Sequence, residues 1–463
     1  MKITILGAAG GEVTGSAYWV ETSRARVLVD FGMFQGGKAA EAKNHRGAEG
    51  VPKPDAVVVT HAHLDHTGRL PLLAKHGYRG PVFASEATLE MMDLILRDSA
   101  KIQAQDAVRT NRKLERAGEP LSEPLYTPQH VETIRSLSQP VPFHQPVTVA
   151  EGISIRLVEA GHMLGSSSIE LTAEDNGERR VVVFSGDLGP RGIPILRDYE
   201  TLTQADLVIM ESTYGDHDHR PFAETVDEFL AILKSAIASK GKVLVPTFAV
   251  GRAQLLLTLL AWAFRRGHLS PFPIFLDSPM AIEATKIYSH HEELFDEQMV
   301  EFLKERPLIE DLRSLTLSAT ADESRKINDV PGPCLVLAGA GMCNAGRIQH
   351  HLKQNLWRPE THVLIVGYQA SGTLGRMLVE GEKRVSIHGE KIAVRAQVHT
   401  LGGFSAHAGQ TDLLKWFGAL APSQPRVVLT HGELEPRATL AGLVRERFGI
   451  TPVLPAENEV VQL

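Results

Sequence analysis

Short apolar runs broken by polar turns fill the first part of the chain. The clearest is Val57-Val58-Val59, a β-branched run of the kind that forms a buried strand. Residues 2–7, 17–21 and 26–30 read as earlier strands, with Gly10-Gly11 marking a turn. Residues 68–76 and 85 to about 114 read as helical, the second with Leu89, Met92, Ile95 and Leu96 at helical spacing. Residues 117–128 carry Pro and Glu and read as a loop, after which strands return at 153–160, 168–172 and 180–185.

The texture changes near Ala205. A buried strand at 207–211 is followed by a helix at 222–239, a strand at 243–245 and a helix at 252–266. A strand at 274–276, more helix from Pro279, and strands at 334–338 and 363–366 continue the pattern. Strands alternating with long helices predict βαβ units and a parallel sheet. Short strands resume around Ile392, then a helix near 411–420 and a strand at 426–430. The expectation is a first domain at 1–210 and 390–463, with a second α/β domain at 211–389 inserted within it.

Several strands end in metal-type donors. The run at 57–59 stops at Thr60-His61-Ala62-His63-Leu64-Asp65-His66, three imidazoles and a carboxylate within six residues. Zinc-like cations take neutral imidazole nitrogens and carboxylate oxygens. No single tetrahedral ion could use all four and keep a place for substrate, so the cluster supplies two adjacent ions. The same device recurs at Glu159-Ala160-Gly161-His162, Gly186-Asp187, Met210-Glu211 and Thr430-His431. Each alone is an ordinary loop residue. Asp30, after another strand, alone reads as a turn-forming residue.

Composition sets limits on the chemistry. The 463 residues exceed one ordinary core, and 43% hydrophobic with 22% charged residues is globular. No stretch of about twenty apolar residues occurs, so no membrane span is expected, and the start lacks a secretory pattern. Cys334 and Cys343 alone make no disulfide framework and fit a reducing cytoplasm. The net charge of −7 gives nucleic-acid binding no support, so a polyanion would need a local basic surface.

The ordered set Asp30, His61-x-His63-x-Asp65-His66, His162, Asp187, Glu211, His407 in Phe-Ser-Ala-His, and His431 in Thr-His-Gly-Glu resembles the metallo-β-lactamase superfamily. The inserted domain resembles its β-CASP subfamily of RNA-processing nucleases, of the RNase J-like and cleavage-and-polyadenylation kinds. Matching blocks include Pro246-Thr247-Phe248-Ala249-Val250-Gly251-Arg252, Asp277-Ser278-Pro279-Met280 and Gly341-Met342. The resemblance implies a four-layer αββα fold with an inserted α/β β-CASP domain and the active site in the cleft between them. It implies two zinc ions, with manganese as the alternative. His61, His63 and His162 would hold one, Asp65, His66 and His431 the other, and Asp187 would bridge them. It gives Asp187, His407, Glu211 and Asp30 catalytic parts: His407 as general acid, Glu211 orienting it, and Asp30 supporting the metal-binding loops. His at 431, where the DNA-repair branch has valine, favours single-stranded RNA as substrate.

Other features carry less. The loop Gly339-Ala340-Gly341-Met342-Cys343-Asn344-Ala345-Gly346 reads as a phosphate cradle or a tight turn, and Ser371-Gly372-Thr373-Leu374-Gly375-Arg376 as a phosphate contact or plain capping. Gly341, Met342, Arg376 and Ser405 are the candidate substrate contacts. His217, His219, His350, His351, His388 and His399 read as surface or packed histidines, Arg265-Arg266 as a solvated helix face, and both cysteines as buried. The expected function is cleavage of RNA by a two-metal-activated water, by a cytoplasmic enzyme without an RNase J-like tail; a homodimer is left open. The alternatives are a small-ester, thioester or lactam hydrolase, and an RNA-binding subunit with weak catalysis.

Overall fold

A computed structural model describes residues 1–36, 39–40, 42–45, 53–370 and 372–463. The strands of the first part are β1 (Lys2–Ile5), β2 (Tyr18–Glu21), β3 (Arg26–Val29), β4 (Ala56–Val58), β5 (Val82–Ala84), β6 (Ser138–Pro140) and β7 (Val147–Ala150). Then follow β8 (Ile153–Glu159), β9 (Ser167–Asp175), β10 (Glu178–Phe184) and β11 (Leu207–Glu211). The middle holds β12 (Lys242–Pro246), β13 (Ile274–Asp277), β14 (Leu315–Leu317), β15 (Cys334–Ala338) and β16 (His362–Ile365). The last are β17 (Arg384–Ile387), β18 (Glu390–Ala393), β19 (Gln397–Thr400), β20 (Arg426–Thr430) and β21 (Glu459–Gln462). They form two compact units, one of residues 1–191, 198–218 and 407–463, the other of 192–197 and 219–406.

In the first unit two sheets stack face to face. One has the order β21-β1-β2-β3-β4-β5-β6, the other β20-β11-β10-β9-β8-β7. Ile3, Val27 and Val58 from one meet Leu157, Ile169 and Phe184 from the other in a core closed to water. The outer face of the second sheet is apolar too, which is why β11 is buried along its whole length. There Val183, Val208 and Met210 pack against Leu413, Trp416 and Phe417 of the helix Gln410–Leu420 and Leu440 of the helix Leu434–Phe448. The helices Leu70–Lys75, Glu86–Ala117 and Pro128–Leu137 pack together at the far side, the second of them against β6. Helix, sheet, sheet, helix is the layering expected.

The second unit is an α/β body around the parallel sheet β14-β13-β15-β12-β16-β19. It extends past the return expected near 390, because β19 pairs with β16, Val363 opposite Val398. The helix Arg252–Arg265 is buried on nearly every side. That burial corrects the solvated reading of Arg265. Its guanidinium lies 3.5 Å from the centre of the Phe302 ring and donates to Asp311 Oδ2 at 2.6 and 2.9 Å. A helix sunk in its core carries its last arginine under cover with it, where the charge needs a partner. Arg266 stays half-exposed beside Glu305. Both cysteines are buried, and burial pushes the thiol of Cys334 up to about 11 and of Cys343 up to about 12.

Asp277, at the end of β13, is fully buried yet accepts from Ser324 Oγ, Arg347 Nη1 and His351 Nε2, each at 2.7 Å. Burial opposes its charge, but these donors hold its carboxyl below the usual range. Asp277→Ala leaves the Arg347 guanidinium, still on the Ser318 and Ala319 carbonyls, without its counter-charge and the His351 imidazole without this partner. The expected loss is about 3–5 kcal/mol of unit stability, read as a lowered urea midpoint. A depressed carboxyl stabilises the fold above the ordinary carboxylate range and loses that contribution as pH falls, so wild type and variant should converge in acid.

Candidate metal centre

Six strand ends of the first unit deliver the donors. Asp30 follows β3, the 61–66 turn follows β4, His162 follows β8, Asp187 follows β10, Glu211 closes β11, and His431 follows β20. A seventh piece, His407, precedes the helix Gln410–Leu420 and is tied down by Ala408 N donating to Leu188 O at 2.7 Å. Among the described residues the donors gather into three groups, the first and third sharing Asp187: His61, His63, His162 and Asp187; Asp65, His66 and His431; and Asp187, Glu211 and His407.

Asp187 organises the centre. Its Oδ2 lies 3.4 Å from His61 Nε2 and 3.7 Å from His162 Nε2. Its Oδ1 faces the other way, 3.2 Å from His66 Nε2 and 3.6 Å from His431 Nε2. Asp65 Oδ2 completes the second side, 3.4 Å from His431 Nε2. On the first side His63 Nδ1 and His162 Nε2 stand 3.1 Å apart. Burial keeps His61 and His63 below the usual imidazole range, so their lone pairs stay available. Burial also opposes the charge of Asp187, but the surrounding imidazoles hold its carboxyl well below the usual range. Asp187 Oδ1 and His61 Nε2 are nonetheless buried without a hydrogen-bond partner. Unsatisfied buried acceptors are costly, and a cation beside each of them removes the cost. The donor set therefore fits divalent metal on both sides of Asp187.

Behind the donors lies a layer that fixes their orientation. Asp30 is fully buried and accepts from Thr60 N at 2.8 Å, Thr60 Oγ1 at 2.7 Å and His66 Nδ1 at 2.7 Å. It stands behind His66 rather than among the reacting groups, and it directs Nε2 of that ring toward Asp187. Thr60 Oγ1 also lies 3.1 Å from His61 Nδ1, and Thr213 Oγ1 lies 3.0 Å from His431 Nδ1. Asp30 and His431 both take left-handed backbone, φ 56° and 50°, strain that such sites hold when their surroundings enforce it. Arg69 bonds Gly32 O and Gly15 O and lies over the Phe31 and Phe34 rings at 4.3 and 4.6 Å. Thr60, Thr213 and Arg69 were not legible as site residues. Proximity in sequence, Thr60 next to His61 and Thr213 two residues after Glu211, was the one signal for the two threonines. Asp30→Ala should weaken metal affinity about 10–100-fold in a chelator competition while the chain stays folded; unchanged affinity would remove Asp30 from this role.

His407 faces two carboxylates of the set. Its Nδ1 is 3.4 Å from Glu211 Oε1 and 4.0 Å from Asp187 Oδ2, and its side chain is 23% exposed. Glu211 is held in turn by Leu188 N at 2.6 Å and Thr213 N at 3.3 Å. Burial works against protonation of His407, but the Glu211 carboxylate, with Asp187 and Asp65, raises it to about 9. At neutral pH this imidazole carries its proton.

The candidate substrate contacts lie in the second unit. Gly341 and Met342 sit in a loop closed by Cys343 N on Ala340 O and Gly375 N on Met342 O. Arg376 lies in the short helix Leu374–Val379, capped by Thr373, and pairs with Glu380 at 2.7 Å. Ser405 is half-buried near the end of that unit, and Ser371 lies outside the described residues. Of the remaining histidines, His351 is packed on Asp277, His350 lies against His388, and His399 against His362.

Three family models match the chain: the metallo-beta-lactamase superfamily over residues 10–247, the Beta-Casp domain over 253–378, and the Zn-dependent metallo-hydrolase RNA specificity domain over 391–455. Ribonuclease TTHA0252 of Thermus thermophilus is 42% identical over 450 residues, covering 96% of each chain. Transcription termination factor FttA of Cenarchaeum symbiosum is 32% identical over all of this chain and 71% of its own length. In fold, an Enterococcus faecalis protein of unknown function matches with a TM-score of 0.54 at 13% identity, covering 100% of this chain and 99% of its own. The chain belongs to the metallo-β-lactamase superfamily, and it carries the Beta-Casp and RNA specificity domains of that superfamily's β-CASP branch.

Proposed function

We propose that the chain hydrolyses phosphodiester bonds in single-stranded RNA, using two divalent cations, zinc first and manganese as the alternative. The observation that carries this reading is Asp187, whose two oxygens face two separate donor groups with His407 at 4.0 Å. His61, His63 and His162 would hold one ion, Asp65, His66 and His431 the other, and Asp187 both. When bound, such a pair lowers the pKa of water toward neutrality and stabilises the attacking and leaving oxygens of an in-line displacement.

The chain's own residues supply the rest. The oxygen of water, which gives up a proton to solvent, bonds to phosphorus while the bond from phosphorus to the sugar oxygen breaks. That departing oxygen needs a proton, and His407 gives it; with Nδ1 turned to Glu211, the donor is Nε2. Glu211 keeps the ring oriented and loaded, and Asp30 and Thr60 keep His66 and His61 aimed. The RNA choice is supported by histidine at 431, by the RNA specificity match spanning His407 and His431, and by relatives named as a ribonuclease and a transcription termination factor. Among the described residues no helix is long and apolar enough to cross a membrane. We place the enzyme in the cytoplasm, in keeping with its two free thiols.

The test offers the purified chain internally labelled single-stranded RNA, DNA of the same sequence, and simple ester, thioester and lactam substrates. Cleavage of RNA, with DNA and the small substrates untouched, is the expected outcome. Turnover of an ester, thioester or lactam with intact RNA would replace this reading.

A further inference from the structure

Among the described residues three aromatic side chains are exposed: Phe248 at 42%, Trp357 at 48% and Tyr368 at 51%. Phe248 and Tyr368 occupy one place in the second unit, beyond the carboxyl ends of the neighbouring parallel strands β12 and β16. Carboxyl ends of parallel strands are where open α/β sheets take their ligands.

The two residues are held in a built frame. The Phe248 ring lies on bare glycine backbone: a Cβ at Gly341, past the end of β15, would come within 2.7 Å of the ring, and one at Gly367 within 3.5 Å. Gln369 Nε2 ties the frame together, 3.0 Å from Gly341 O, 3.1 Å from Gly367 O and 2.9 Å from Tyr368 O. The ring is thus fixed from below while much of it faces water. Arg376 stands close enough to Tyr368 to be influenced by its hydroxyl, and its pairing with Glu380 is an exposed one of little energetic weight, open to exchange for a phosphate.

We propose that Phe248 and Tyr368 are a stacking platform for unpaired bases of the RNA strand, with Arg376 beside it for the backbone phosphate. This rests on the ribonuclease reading and names the surface that would select an unpaired strand. Every base has a π-face, so the platform takes an unpaired strand of any sequence and rejects a duplex, whose bases are already stacked. A ring held in place in advance also loses little entropy on binding.

The experiment measures binding by fluorescence anisotropy in the full chain carrying His407→Ala, so that the probe survives. The probes are a ten-nucleotide mixed-sequence RNA, the same strand with its central bases removed to leave abasic riboses, and a duplex. Phe248→Leu and Tyr368→Leu should each weaken binding of the complete strand about 5- to 100-fold and leave the abasic strand within twofold, whereas the aromatic replacements Phe248→Trp and Tyr368→Trp should retain binding. Equal losses on complete and abasic strands would overturn stacking in favour of a general loss of fold or charge. Unchanged RNA binding would overturn the platform while leaving the ribonuclease reading intact, and a change in self-association in the same variants would give the rings to a protein contact instead. A chain with unsubstituted His407, Phe248 and Tyr368 that neither binds nor cleaves RNA would instead remove the reading on which the platform rests.

Discussion

Asp187→Asn is expected to abolish RNA cleavage, by about 10³-fold or more, and to deplete both metal sites at once. The substitution keeps the shape and removes the charge. Oδ1 serves His66 and His431 while Oδ2 serves His61 and His162, so no neighbouring carboxylate can replace it on both sides. An amide would turn an N–H toward one of the two sides, where a cation is to sit. Losing several kcal/mol of charge stabilisation in the transition state corresponds to the stated factor. Asp65→Asn is the contrast, because Asp65 faces only the His431 side and should cost one ion. Metal content by mass spectrometry beside the cleavage rate checks both. Asp187→Asn with full metal content and a rate within tenfold of wild type would contradict the shared role.

His407→Ala is expected to lower turnover about 10²–10⁴-fold while both ions remain bound. Asp187, Glu211 and His407 also lie close enough to form a donor group of their own, so metal retention separates an acid from a ligand. The loss should shrink for a phosphodiester whose leaving group is a nitrophenolate, since that oxygen departs without a proton. Glu211→Gln adds a pH signature. As a general acid His407 would act while protonated, and Glu211 helps raise its pKa to about 9, so activity is expected to fall as pH rises through that value. Removing the carboxylate lowers the pKa and moves the alkaline limb toward lower pH. A variant at 407 with normal turnover on RNA would end the general-acid role.

Much of this centre was legible because its donors obey one local rule. A buried β-branched strand such as Val57-Val58-Val59 ends where the chain leaves the sheet, and a histidine or carboxylate there is conspicuous in sequence. Six such ends converge because both sheets of the first unit present carboxyl ends at the same edge. The supporting layer followed no rule of spacing. A hydroxyl such as that of Thr213 gains its meaning from His431, 218 positions away. Left-handed backbone at Asp30 and His431 has no mark in residues that are not glycine. Long-range pairing decides the rest: β19 looks like any short strand until it pairs with β16, and Gly341 looks like any turn glycine until Phe248 covers it. Arg265 was misread for the same reason, since its partner Asp311 lies on another element.

The most direct test of the account strips the purified chain with a chelator, confirms the loss of metal, and assays internally labelled single-stranded RNA before and after zinc or manganese is returned. The account expects no cleavage by the stripped chain, and recovery that saturates at about two ions per chain. Full cleavage of RNA by chain shown to hold no metal would contradict it.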